Sequence, residues 1–199
     1  MTGLEPTNLS DWLEQVTNHD FLDCAYSGWY FNHNFQKLIH ELKYSEGRLV
    51  AQILGQKLGV LLKEELSNLW VDAIVPVPLH PARLRERGFN QSTLLGYALA
   101  KELGLTCRED ILRRRRNTVS QTKLGSEERK QNMQNAFTCK TIRNSTRLLL
   151  IDDVLTTGST LSACAEVLKS SGVEFVGAVT AGTPLSTKSP KKEVFLAEA

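Results

Sequence analysis

The 199-residue sequence predicts one α/β domain, a single central, mostly parallel sheet flanked by helices. Three observations predict it. Apolar runs of strand length recur at 72–78, 147–153 and 174–182. Amphipathic helical stretches separate them, and between 147 and 182 a strand, a tight loop, a helix and a strand follow one another directly. Two strands joined through a helix form a crossover, and crossovers connect parallel strands. The length suits one sizeable core and would cramp two.

The elements follow in chain order. Residues 1–25 are set apart as a polar N-terminal leader, with one short helix around Trp12 and Val16. From Tyr30 to Leu66 apolar and polar residues alternate at helical spacing, with Leu49, Ile53, Leu54, Leu58, Leu61 and Leu62 on one stripe. Gly55 and Gly59 weaken that helix but permit close packing. "DAIVPVP" (72–78) is a β-branched run stopped by prolines, hence a strand. "NQSTLLGYALAKELG" (90–104) is an amphipathic helix with Asn90 as its cap and Gly104 as its stop.

Residues 113–130 carry seven basic residues against two acids and no apolar period, so a long mobile loop is expected. "RLLLIDD" (147–153) suits a strand covered on both faces. "STLSACAEVLKSSG" (159–172) is a helix opened near Ser159 and closed by Gly172, with Cys164 packed inside. "EFVGAVTAG" (174–182) is the third strand. The domain is bounded at 26–183, and 184–199 is expected to be a poorly ordered tail.

Composition excludes several classes. At 41% hydrophobic, 23% charged and a formal net charge of +2, the chain is an ordinary globular protein whose charge alone does not argue for nucleic acid. Cys24, Cys107, Cys139 and Cys164 form no CxxC pair, so neither a zinc site nor a disulfide framework is expected. The first residues have no apolar signal core, and no run approaches the ~20 residues that span a bilayer. A reduced, cytoplasmic protein without a membrane role is expected.

The chemistry concentrates in "LLLIDDVLTTGST", Leu148 to Thr160. "TTGST" at a helix start offers backbone N–H groups, hydroxyls and a favourable dipole, which together suit a phosphate. Gly158 lets the backbone approach the anion or adopt a positive φ. Asp152 and Asp153 repel a phosphate, so they need ribose hydroxyls or a hard cation such as Mg²⁺ between themselves and it. A phosphorylated sugar with a diol meets both demands. A Walker loop is ruled out because GxxxxGK[ST] is absent. A receiver or phosphoaspartate fold would not fit in the residues that follow Asp153. The plainer alternative is a capped helix beside an incidental acid pair.

The same segment resembles the phosphoribosyl pyrophosphate (PRPP) motif of type I phosphoribosyltransferases. "VPVPLHPARLRERGFNQS" (75–92) is similar to the signature of the ComF/GntX family, associated with DNA uptake. "RRRRNTVSQTKLGSEERKQNMQNAF" agrees with that family at Gln121, Leu124, Arg129, Asn132, Ala136 and Phe137. "KLIHELKY" extends the resemblance upstream. It implies that Thr156, Thr157, Gly158, Ser159 and Thr160 hold the 5′-phosphate. Asp152 and Asp153 would be the catalytic-site acids, holding the ribose hydroxyls directly or through water on Mg²⁺. Arg83 and Arg87 would contact pyrophosphate, since guanidinium forks suit phosphate oxygens. Arg85 is equally basic. The loop 113–130 would be a flexible hood that excludes water.

Two departures matter. The family's N-terminal four-cysteine zinc module is reduced here to Cys24, so no zinc is expected. Oxopurine salvage enzymes carry an aspartate where this chain has Thr156, and a threonine hydroxyl is no general base near neutral pH. The expected ligands are PRPP, Mg²⁺ and a nitrogenous acceptor. A homodimer and contacts with single-stranded DNA or DNA-uptake proteins are further candidates. The run Arg113–Arg116 is the candidate nucleic-acid contact, with a solvated face as its plainer reading. A non-catalytic PRPP or nucleotide sensor stays beside the transferase as an alternative.

Overall fold

The structure is a computed structural model that describes residues 21–44, 47–115, 136–142 and 146–184. Within these the chain runs β1 (Cys24–Tyr30), α1 (His33–Lys43), α2 (Gly47–Leu61), α3 (Lys63–Ser67) and β2 (Ala73–Pro76). It continues through α4 (Pro81–Arg87), α5 (Gln91–Leu103), β3 (Thr106–Cys107), β4 (Leu112–Arg114), β5 (Phe137–Cys139), β6 (Arg147–Val154), α6 (Ser159–Ser170) and β7 (Phe175–Thr183). Five strands form one sheet in the order β1-β7-β6-β2-β3, every neighbouring pair parallel. β4 and β5 form a separate antiparallel pair. The predicted α/β class is the one that forms.

The apolar run of β6 explains the layering. Leu148, Leu149, Leu150 and Ile151 are all buried, as a central strand covered on both faces requires. Leu148 and Leu150 pack with Val75, Val176 and Ala178 under α6 and the β4–β5 pair. Leu149 and Ile151 pack with Ile74 and Val179 under α1, α2 and α5. Consecutive residues of β6 therefore serve opposite layers, the period-2 rule of a strand.

The helical stretch before β2 is not continuous. α1 stops at Tyr44, and α2 buries Val50, Ala51, Leu54, Leu58 and, just past its end, Leu62. Leu49 and Leu61, placed on the buried stripe by periodicity, are exposed. The stripe is rotated because the glycine edge of α2 faces α5. A Cβ on Gly55 would stand 2.5 Å from Ala98 Cβ and 2.9 Å from the Leu95 carbonyl oxygen. The close packing expected of Gly55 and Gly59 is what rotates the helix.

Three further elements differ from expectation. β1 carries no strong periodicity in "CAYSGWY", yet it closes the sheet edge beside β7 and begins at Cys24, on the leader side of the boundary. "PARLRER", to which the sequence pattern assigns no element, is helix α4, with Pro81 at its first turn, His80 as N-cap and Gly88 at φ 80° ending it. Arg113 and Arg114, expected in the mobile loop, belong to β4, and residues 116–135 lie outside the described set. Trp70 is exposed, at φ 52°.

Candidate functional site

The chain topology chooses where a ligand can sit. From β2 the chain crosses through α5 to β3 on one side, while from β6 it crosses through α6 to β7 on the other. α5 and α6 cover opposite faces, so the winding reverses between β2 and β6, and such sheets take ligands beyond the carboxyl ends of the strands at that point. Asp152, Asp153 and the "TTGST" loop all lie at that end.

The two acids are consecutive on β6, so they turn to opposite layers. Asp153 is buried on the α1 side, where its Oδ2 meets Lys43 Nζ at 2.6 Å and its Oδ1 accepts from the Val154 N–H at 2.9 Å. Asp152 Oδ1 accepts from Ser92 Oγ at 2.8 Å and from the Asp153 N–H at 2.9 Å. Among the described residues no donor is placed on Asp152 Oδ2. Burial, and then the neighbouring Asp153 carboxylate, push the Asp152 carboxyl up to about 7, against the Ser92 hydroxyl, the Asp153 N–H and the Lys43 charge. Among the described residues Asp152 makes no ion pair of its own, though its charge is felt by Arg114.

Ser92 reaches Asp152 because Asn90 fixes the start of α5. Asn90 Oδ1 caps the Ser92 N–H at 3.1 Å, and its Nδ2 donates to the Val77 carbonyl at 3.0 Å, tying the helix start to the end of β2. The capping role expected of Asn90 is observed. Ser92 and Lys43 are site residues that sequence reasoning missed.

The loop after β6 is pinned at both ends of Leu155. Its N–H donates to the Gly182 carbonyl at 2.8 Å, and its carbonyl accepts from Thr183 Oγ1 at 3.0 Å. Gly158 then takes φ 74° as the N-cap of α6, a left-handed turn that favours glycine. Thr157 Oγ1 and Ser159 Oγ lie 2.9 Å apart, while Thr156 is exposed. No acid occupies the first turn of the 12-residue α6, so its N-terminus keeps its positive end for an anion.

The candidate arginines separate. Arg83 is exposed and paired with Glu86 at 2.9 Å. Arg87 donates to Gln91 Oε1 at 2.6 Å and stacks over the Tyr44 ring at 5.9 Å, one position along the chain from the Ser92–Asp152 contact. Arg114 stacks on Phe137 at 5.3 Å; burial depresses its guanidinium, opposed by Cys164 and Asp152. Arg113 and Arg115 are exposed on either side of it. The basic run therefore divides by strand alternation, and Arg116 lies outside the described residues.

Against this geometry stand the relatives. Residues 90–197, more than half of the chain, match the phosphoribosyl transferase domain family, and the chain belongs to it. Within that family the relatives are of the ComF type. Competence protein F of Haemophilus influenzae is 40% identical over 106 residues, covering 52% of this chain and 46% of that one. The DNA utilization protein YhgH of Salmonella typhimurium is 37% identical over 142 residues, covering 70% and 63%. The chain thus spans less than two thirds of the length of either relative. Among solved structures, the B. subtilis glutamine PRPP amidotransferase is 18% identical with a TM-score of 0.45, covering 66% of this chain and 26% of that one. Among the described residues no helix is long and apolar enough to cross a membrane.

Proposed function

We propose that the protein binds PRPP with Mg²⁺ and transfers its phosphoribosyl group to a nitrogenous acceptor, releasing pyrophosphate. The observation that carries this reading is the open carboxylate of Asp152 beside the Gly158 turn and the α6 N-terminus, where β2 and β6 end. The α6 N-terminus and the hydroxyls of Thr157, Ser159 and Thr160 suit the 5′-phosphate. Asp152 suits the ribose diol, with Asp153, engaged by Lys43, beside it.

Mg²⁺ fits these residues on one condition. Among the described residues no three acidic, histidine or cysteine side chains converge, so the protein alone is no metal cage. A magnesium ion commonly takes one or two carboxylates and completes its shell with substrate oxygens and water. Asp152 Oδ2 offers the open protein ligand, and Asp153 stands next to it. The ion would neutralise charge developing on pyrophosphate.

In the transfer, the C1′–O bond breaks with its electron pair leaving on pyrophosphate. The acceptor nitrogen forms the C1′–N bond and loses its proton to solvent. The chain's part is to orient the sugar and stabilise charge. Of the two arginines Arg87 suits the leaving group better, being tied to Gln91 next to Ser92, whereas Arg83 is paired with Glu86 on the exposed face of α4. The hood lies outside the described residues.

Calorimetry with PRPP and Mg²⁺ tests the reading. Saturable binding that Asp152→Asn abolishes is expected; absence of binding to the wild type overturns it. A second reading, a PRPP-binding accessory protein in DNA uptake, is favoured by the relatives' competence and DNA-utilization names; Thr156 in place of an acid argues only against an oxopurine acceptor. Pyrophosphate release across a panel of nitrogenous bases separates the two. Release with one base supports the transferase, and silence across the panel supports the accessory role.

A further inference from the structure

We infer that Lys43 is a positioning residue of the ligand site: it is the built-in cation of Asp153, and it leaves Asp152 as the acid that addresses the incoming diol and its divalent ion. The inference rests on the PRPP reading and assigns a role that the phosphate and pyrophosphate segments do not contain.

Lys43 is aimed by the packing of its own helix. α1 is capped by Asn32 Oδ1, which accepts from the Phe35 N–H at 2.9 Å, and it buries Phe35, Ile39 and Leu42 against the sheet. That face fixes the azimuth of the last turn, where Lys43 sits at the end of α1 favourable to a cation. Its ammonium meets Asp153 Oδ2 at 2.6 Å, with 29% of the lysine side chain and 9% of the aspartate exposed. A carboxylate so shielded would be costly without a partner. Both oxygens of Asp153 are therefore committed, one to Lys43 and one to the Val154 N–H.

Lys43 is the cation paired with Asp153, and Arg114 is a further charge that Asp152 senses. Among the described residues the carboxylate oxygen of the pair with no donor placed on it is Asp152 Oδ2. The next residue, Tyr44, lies under the Arg87 guanidinium, so the end of α1 also meets the element proposed for pyrophosphate. One helix end thereby links the acid pair to the anion side of the site. Lys43 acts on the ligand through Asp153 rather than by direct contact.

A double-mutant cycle tests this with Lys43→Met, Asp153→Asn, the double variant and Lys43→Arg. PRPP–Mg²⁺ affinity is measured by calorimetry and unfolding by urea without ligand. Lys43→Met should weaken PRPP about tenfold, Lys43→Arg should recover most of that, and Lys43→Met should add less than twofold once Asp153 is Asn. Wild-type affinity in Lys43→Met, or effects that multiply in the double variant, overturns the inference. The urea cycle judges the pair separately: coupled midpoints are expected, and additive ones remove the Lys43–Asp153 link. A wild type that binds no PRPP overturns the proposed function and the ligand half of this inference together.

Discussion

Asp152→Asn should make the ligand-free protein more stable at neutral pH while removing its ligand. In the folded chain, burial and then the Asp153 charge raise the Asp152 carboxyl from 3.8 to about 7. Below the lower value folded and unfolded chains both hold the proton, and ionisation costs nothing. Between the two values the unfolded chain releases its proton while the folded chain retains it, so stability falls as pH rises. Above about 7 the cost is complete. At 1.36 kcal/mol per pH unit the span corresponds to roughly 4 kcal/mol as an upper bound. Asparagine keeps the size and the carbonyl acceptor for Ser92 but carries no charge. Partial solvent access to the side chain reduces the gain, to about 2 kcal/mol, or roughly 4–8 °C in a chain of this length. Thermal denaturation followed by circular dichroism from pH 5 to 8.5 reads it directly. The variant should melt higher at pH 8, and the gap should narrow towards pH 5. An equal or lower midpoint at pH 8, or a gap that stays constant with pH, refutes the reasoning.

Ser92→Ala removes the 2.8 Å hydrogen bond to Asp152. A bond to a charged group contributes about 1.5–3 kcal/mol, so PRPP–Mg²⁺ affinity should drop at least tenfold by calorimetry; unchanged affinity would detach Ser92 from the site. Gly55→Val would drive a branched side chain into Ala98 and the α5 backbone. A loss of about 2–3 kcal/mol in urea denaturation is expected, and wild-type stability would show that the α2–α5 contact is looser than its distances.

Most of the fold was legible because its strongest signals are local. The β6 run, Gly158, Gly104 and the α5 cap each carry their meaning within a few residues of sequence. β1 escaped because it pairs with β7, distant in sequence, and carries no alternating pattern of its own. The α2 stripe was misjudged because the contact with α5 runs along glycines, which carry no hydrophobic signal. In the site, the acids, the phosphate loop and the anchoring Asn90 were readable, being contiguous segments. Lys43 and Ser92 were not, because each acquires its role only when β6 brings an acid to it; the Ser92–Asp152 contact spans 60 residues of chain. Arg83 and Arg87 looked equivalent in "RLRER", and only the helical turn of α4 sends one to Glu86 and the other to Gln91.

The placement of consecutive acids on one strand also makes the site a matter of parity. A slip of β6 by one residue against β7 would exchange the layers that Asp152 and Asp153 address. Each carboxylate would then face the other's surroundings: Asp153 would leave its lysine, and Asp152 would enter a layer where that lysine already waits. The aliphatic residues ahead of the pair would tolerate such a slip, since both faces of β6 are apolar. The acids, Ser92 and Lys43 would not. Four polar side chains at the strand's end thus supply an alignment mark that the greasy run before them lacks.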